Sequence, residues 1–261
     1  MKIIYWNVNG LRSALSKGLK NFVLKEKPDI ICLQEIKTLR EQIPERDLTF
    51  DGKYNAYILS AKRKGYSGVA TFVKADNSPL NVEYKIGHKK SDQEGRFLMS
   101  SFKDFDLYNI YFPSGTSGDD RQRFKYKFLD CVYDYFASLD KKKFQRSIIC
   151  GDFNICHKEI DIHHPEKAEK LKLTGFLPRE RRWMDKFTEL GFIDTFRHVN
   201  GDGKNYYTWW SYRANARAKN LGWRIDYIFC AAKFRQQIRN ARILSDIRGS
   251  DHCPISLELQ L

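Results

Sequence analysis

Ten short apolar runs constrain this chain more than any other feature, because two pairs of them lie too close in sequence for a crossover helix. The runs at 54–60 and 67–74, and those at 96–102 and 105–111, each predict an antiparallel hairpin. Further strand candidates lie at 2–6, 29–34, 147–152, 206–211, 223–230 and 253–259. Three helices are expected between them. The clearest runs from about Asp119 to Leu139, where Phe124, Phe128, Cys131, Val132, Tyr135, Phe136 and Leu139 fall on one stripe at helical spacing. The others lie at about 13–26 and at 179–190, the latter entered through Pro178 and ended by Gly191. A purely parallel doubly wound sheet is excluded by the hairpins. The pattern predicts an α/β protein with mixed sheets packed on each other and helices outside.

No repeat, linker or composition break divides the 261 residues, so a single domain over 1–261 is expected. No run approaches the roughly 20 apolar residues of a membrane span, and Met1–Trp6 lacks signal-peptide anatomy. A cytoplasmic protein is expected, or a nuclear one if the source has a nucleus. The net charge of +14 favours polyanionic partners, nucleic acid before anionic membrane, although a Lys-rich proteome would give the same excess. Six cysteines without Cys-x-x-Cys spacing suit small buried hydrophobes better than disulfides or zinc. His163-His164 is the only His pair, and adjacent residues do not share a face.

Five acidic or amide clusters sit at the ends of, or inside, the apolar runs. Asn7 follows 3–6, Glu35 follows 30–34, and Asp152 and Asn154 follow Ser147-Ile148-Ile149-Cys150-Gly151. Asp226 lies within Trp223–Phe229, and Asp251-His252 precedes Cys253–Leu257. Asp152-Phe153-Asn154 alone suits an Asx turn after a strand. In extended geometry, its carboxylate and amide would point to one side. Five such clusters together, with Asp226 embedded in apolar sequence, point to a built polar site, since a buried carboxylate needs a partner. Carboxylates and amides with one prominent His suit Mg²⁺ or Mn²⁺ and phosphoester chemistry.

The segments Trp6-Asn7-Val8-Asn9-Gly10-Leu11-Arg12, Leu33-Gln34-Glu35-Ile36-Lys37, Gln93-Glu94-Gly95-Arg96, Tyr111-Phe112-Pro113-Ser114-Gly115, Gly151-Asp152-Phe153-Asn154, Trp223-Arg224-Ile225-Asp226-Tyr227 and Ser250-Asp251-His252-Cys253-Pro254 occur in that order. Together they resemble the exonuclease III family of apurinic/apyrimidinic (AP) endonucleases, within the endonuclease/exonuclease/phosphatase superfamily. Gly175–Arg181, Asn215–Asn220 and Gly222-Trp223-Arg224 resemble the AP-endonuclease branch in particular. The resemblance implies a four-layered sandwich of two mixed sheets between helices. It also implies a Mg²⁺-dependent nuclease acting on double-stranded DNA at abasic sites. Glu35 then matches the principal metal ligand, with Asn7 and Asp251 beside it, and Lys37 lies close to that carboxylate. Asp152 matches the residue that aims or deprotonates the attacking water, and Asn154 the amide that orients it. His252 matches the phosphate contact, Asp226 its carboxylate partner, and Tyr111 a phenol near the scissile phosphate. Residue types alone leave open whether Asp152 or His252 is the general base.

Tyr206–Tyr212 is dense in aromatics and runs into Arg213, Arg217 and Lys219, a mixture suited to sugar, base and phosphate. By resemblance, Trp209, Trp223 and Ile225 wall a pocket for an extrahelical sugar without its base, and Arg213 is a wedge into the duplex. Lys62-Arg63-Lys64, Lys125, Lys127 and Arg179–Arg182 are expected on basic surface. Asn9 and Ser114 depart from the family pattern, which favours one metal ion and a weaker phosphate contact. The chain opens at its first strand, as a bacterial-type catalytic domain would, and a monomer is expected. Two rivals are a phosphatase or phosphodiesterase of small phosphorylated lipids or inositols, and a non-catalytic DNA-binding module.

Overall fold

A computed structural model describes residues 1–261, and its twelve strands form two six-stranded sheets. They are β1 (Lys2–Asn7), β2 (Ile30–Gln34), β3 (Tyr54–Leu59), β4 (Val69–Lys74), β5 (Asn81–Glu83), β6 (Phe97–Ser101), β7 (Asp106–Ile110), β8 (Ser147–Asp152), β9 (Phe192–Asp194), β10 (Asp226–Ala231), β11 (Ile238–Ile243) and β12 (Ile255–Leu259). The first sheet has the order β11-β12-β1-β2-β4-β3, the second β5-β6-β7-β8-β10-β9. Both are mixed, with β1/β2 and β7/β8 parallel and their other neighbours antiparallel. The β3–β4 and β6–β7 hairpins form as expected.

Strand alternation explains the layers. Ile3, Tyr5, Ile30 and Cys32 face Ile148, Cys150, Ile228 and Cys230 across the gap between the sheets. The residues between them turn the other way. Ile149, Tyr227 and Phe229 pack with Phe128, Val132 and Phe136 of the helix Asp119–Ala137 and Phe187 of the helix Pro178–Glu189. Ile4, Trp6, Ile31 and Leu33 pack under Leu11, Leu19 and Val23. The result is helix, sheet, sheet, helix, with each large buried side chain contributing about 1.5–3 kcal/mol.

Several expectations are corrected. One helix over 13–26 becomes two, Leu11–Ser16 and Leu19–Glu26, because Gly18 adopts a left-handed conformation at φ 97°. The aromatic run 206–211 forms only isolated bridges, not a strand. There the Thr208 hydroxyl accepts from the backbone N–H groups of Ile225 and Asp226, so side-chain bonding replaces a regular ladder. Strands β5, β9 and β11 are short or polar and carry too weak an apolar signal to be found. Lys125 is fully buried rather than basic surface. All six cysteines are free, five of them buried. No helix is long and apolar enough to cross a membrane.

Candidate active site

The same period of two that builds the core builds the site. Counting Ile3, Tyr5, Asn7 along β1 and Ile30, Cys32, Gln34 along β2 brings an amide into the inter-sheet layer at the strand end. Ile148, Cys150, Asp152 along β8 does the same with a carboxylate. β10 runs antiparallel to β8, and Asp226 pairs with Asp152 in register. Four polar side chains therefore meet at one end of the apolar gap, where the next residues in the pattern leave the core.

The chain turns sharply just beyond these strand ends. Asn9, Glu35, Lys37 and Asn154 all take left-handed φ values of 48°, 51°, 51° and 54°. A non-glycine residue in that region carries a backbone cost that its surroundings must offset. Asn154 is therefore not extended, and it does not simply share a side with Asp152. Its N–H donates 2.8 Å to Asp152 Oδ1, so the Asx turn and the site coexist. The Asn154 Nδ2 donates 2.9 Å to the carbonyl of Phe112, which aims the side chain.

Asn7 Nδ2 donates to Glu35 Oε1 at 2.9 Å and to Asp152 Oδ2 at 3.1 Å, holding the two carboxylates side by side. Its Oδ1 accepts from the Asn9 N–H, so the amide presents donors, not its oxygen, to the carboxylates. Lys37 Nζ lies 2.7 Å from Glu35 and also donates to Asn9 Oδ1. Asn9 Nδ2 in turn donates 2.9 Å to Asp251. On the far side, His252 Nδ1 sits 2.8 Å from Asp226 Oδ2, and its Nε2 lies 3.8 Å from Asp152 Oδ2. Tyr5 and Gln34 complete the floor. The Tyr5 hydroxyl is 2.9 Å from Asp226, and Gln34 Oε1 accepts from the Asp152 N–H at 3.0 Å.

Burial and charge separate the titrations of this group. Burial works against the imidazolium of His252, but the charge and hydrogen bond of Asp226, then Asp152 and Asp251, raise it to about 10. Burial and the neighbouring Asp226 charge push Asp152 up to about 8 against the pull of His252. Glu35 goes the other way: burial would raise it, but Lys37 and Asn7 hold it below the usual carboxylate range. Burial and the Glu35 charge raise the Tyr111 phenol well above its ordinary value. A cationic His, a basic carboxylate and a low carboxylate thus stand together.

These groups open on a cleft of about 250 Å³. Tyr111, Asn154 and His252 line one part of it, and Trp209, Trp223 and Ile225 form an apolar wall. Trp209 and Trp223 meet edge to face with centroids 5.8 Å apart, and Trp209 Nε1 donates 3.0 Å to Asp251.

A family model described as "Endonuclease/Exonuclease/phosphatase family" matches residues 4–252. The chain belongs to the endonuclease/exonuclease/phosphatase family. An exodeoxyribonuclease of Bacillus subtilis (strain 168) is 42% identical over 262 residues, covering all of both chains. The DNA repair nuclease APEX1 of Danio rerio is 39% identical, covering 99% of this chain and 82% of the relative. Among solved structures, an AP endonuclease from Archaeoglobus fulgidus superposes with a TM-score of 0.85 at 28% identity over the whole of both chains. The 3′ phosphatase NExo from Neisseria, bound to a product DNA hairpin, superposes with a TM-score of 0.90 at 25% identity, again covering both fully.

Within this family member, Glu35, Asp152 and His252 each bring one ligating atom within 4.8 Å of the others. The donor set fits a hard divalent cation. Two adjacent carboxylates concentrate negative charge that such an ion neutralises, and no thiol is among them. Asp251 lies outside that trio, with its oxygens bound to Asn9 and Trp209. Arg213 stands exposed in the short turn Arg213–Asn215 and is not among the cleft-lining residues. Tyr5 and Gln34 are site residues that the sequence pattern did not single out. The signal available for Gln34 was its place as the sole amide in a run of five buried residues.

Proposed function

We propose that this chain is a Mg²⁺-dependent DNA repair nuclease, with Mn²⁺ able to substitute. On this reading it hydrolyses the phosphodiester 5′ to an abasic site and leaves a 3′-hydroxyl, as a step of base excision repair. Exonuclease action from 3′ ends and removal of 3′-phosphates or 3′-phosphodiesters belong to the same reading. The observation that carries it is the His252–Asp226 pair facing Asp152 beside a tryptophan-walled cleft. The names of the relatives support a DNA substrate. Residues 1–261 would act as one catalytic unit and as a monomer, in the cytoplasm of a bacterial-type cell.

Glu35, held by Asn7, would be the principal ligand of the cation, with Asp251 beside it, and the ion would supply charge neutralisation at a phosphoryl oxygen. The remaining steps belong to the chain. Asp152 Oδ2, made basic by burial, accepts the proton of a water on the cleft side. His252 donates from Nε2 to the phosphoryl oxygen, and its ring is fixed from behind by Asp226. The water oxygen bonds to phosphorus as the bond to the 3′ oxygen breaks; that oxygen departs as an alkoxide that takes a proton from solvent water to become the hydroxyl, and Asp152 returns its proton to solvent. Asn154 and Tyr111 line the phosphate path. The Trp209–Trp223–Ile225 wall accepts a flipped sugar, and a nucleotide carrying a base is rejected by size.

The test is a duplex with one abasic site, with Mg²⁺ or with EDTA. Metal-dependent incision 5′ to the site is expected, and Asp152→Asn is expected to nearly abolish turnover while leaving fold and DNA binding intact. Turnover of an inositol phosphate in place of DNA, or tight DNA binding without cleavage, would replace this reading with one of its rivals.

A further inference from the structure

The helix Asp119–Ala137 buries an ion where its apolar stripe calls for a hydrocarbon. Lys125 and Glu180 are both fully buried, with Lys125 Nζ 2.5 Å from Glu180 Oε1. Replacing such a pair by hydrocarbon is often neutral or stabilising, so stability alone does not account for it.

The contacts of the pair point towards the cleft. Lys125 Nζ donates 2.8 Å to the carbonyl of Asn154, the left-handed residue whose N–H fixes Asp152 Oδ1. Glu180 Oε2 accepts from the N–H groups of Gly175 at 2.7 Å and Leu177 at 3.0 Å. Gly175, at φ 92°, is wedged against the opposite wall. A Cβ there would lie 2.8 Å from the Trp223 ring and 3.1 Å from the Asn154 carbonyl oxygen. The Gly175 carbonyl then accepts from Cys156 N–H at 2.8 Å, tying the turn back to the chain just after Asn154.

We propose that Lys125, through its ion pair with Glu180, is a positioning residue that sets the Asp152–Asn154 turn against the Gly175–Trp223 wall. One charged contact spans both sides of the cleft, the side holding the water and the side holding the sugar. This rests on the function proposed above for its catalytic consequence, and on geometry alone for its structural one. Without the ammonium, the Asn154 carbonyl loses a charged donor, and the strained turn loses the bond that offsets its strain.

Lys125→Met alone leaves the Glu180 charge buried and unpaired and risks unfolding, so the decisive variant combines Lys125→Met with Glu180→Gln. The full-length variant, with Mg²⁺ and the abasic duplex, is expected to bind DNA within about twofold of wild type. Its single-turnover rate is expected to fall about 10- to 100-fold, the scale of an ångström-level misplacement. Amide exchange at Asn154 and Gly175 should accelerate more than about tenfold while Ile149 in β8 is unchanged, whatever the substrate is. If the double variant melts at the assay temperature, Lys125→Arg with Glu180→Asp is read for the same separation of rate from binding and for the same local exchange. Unchanged exchange at Asn154 and Gly175 overturns the proposal, as does a wild-type rate, or rate and affinity falling together. Failure of the wild-type chain to cut abasic DNA would instead overturn the function, and the exchange result would still decide the positioning role.

Discussion

Asp226→Asn tests the electrostatics of the site most directly, because one charge raises two neighbours. Asp226 is buried, 2.8 Å from His252 Nδ1, and it is both the main support of the His252 cation and the first charge acting to raise Asp152. His252 stands at about 10 against an ordinary 6.5. At about 1.4 kcal/mol per pH unit, that difference is on the order of 5 kcal/mol in favour of the imidazolium. Asparagine preserves shape, accepts from His252 Nδ1–H through its one oxygen and can donate from Nδ2 to the Tyr5 hydroxyl oxygen, which then donates to Gln34 Oε1, so the change removes charge with little repacking. In the wild type, activity should rise as Asp152 loses its proton and fall as His252 loses its own. The kcat/KM profile is therefore a bell whose acid limb lies above the ordinary carboxylate range, with bound metal drawing that limb down. In Asp226→Asn both limbs should move to lower pH, the alkaline one by about 1–3 units. The rate at pH 10 should fall by about 5- to 500-fold, the loss of protonated His252 that such a shift represents. The assay is abasic-duplex incision at saturating Mg²⁺ from pH 5 to 10, with the His252 ring followed by NMR. A bell that keeps its position and loses only height would refute the assignment of its limbs.

Two further outcomes follow from charge and burial elsewhere. DNA affinity should fall steeply with salt, given the net charge of +14, by about a thousandfold between 50 and 200 mM if some six phosphates are neutralised; filter binding showing a flat dependence would count against nucleic acid. Asp161 is buried between Arg224 at 2.7 Å and Arg197 at 2.6 Å; burial would raise it, but the two guanidinium groups hold it below the usual range. Its contribution is therefore complete above the unfolded carboxylate value and is lost as pH falls through the lower folded value. Asp161→Asn should cost about 3–5 kcal/mol in urea denaturation at pH 7, with the gap to wild type narrowing below about pH 4; a constant gap would refute the pairing.

Strand alternation explains how far the chain could be read in advance. Asp152 and Asn7 each stand at the end of an apolar run whose alternate residues face the inter-sheet core, so their type and direction were legible from periodicity. The hairpins β3–β4 and β6–β7 were legible because too few residues separate their strands for anything else. Thr208 shows where that logic stops. Its hydroxyl occupies two backbone donors, so an aromatic run that alternates like a strand does not become one.

Local pattern alone determined which residues would be apolar, which would turn, and which polar types would stand at strand ends, because those are properties of a few consecutive side chains. Only the tertiary structure decided that Asp226 pairs in register with Asp152, that Asn7 reaches Asp152 across 145 residues to join it to Glu35, and that Lys125 is an interior ion and not surface charge. Those facts depend on sheet register and on the low dielectric between two layers. Neither exists until segments distant in sequence have closed on one another.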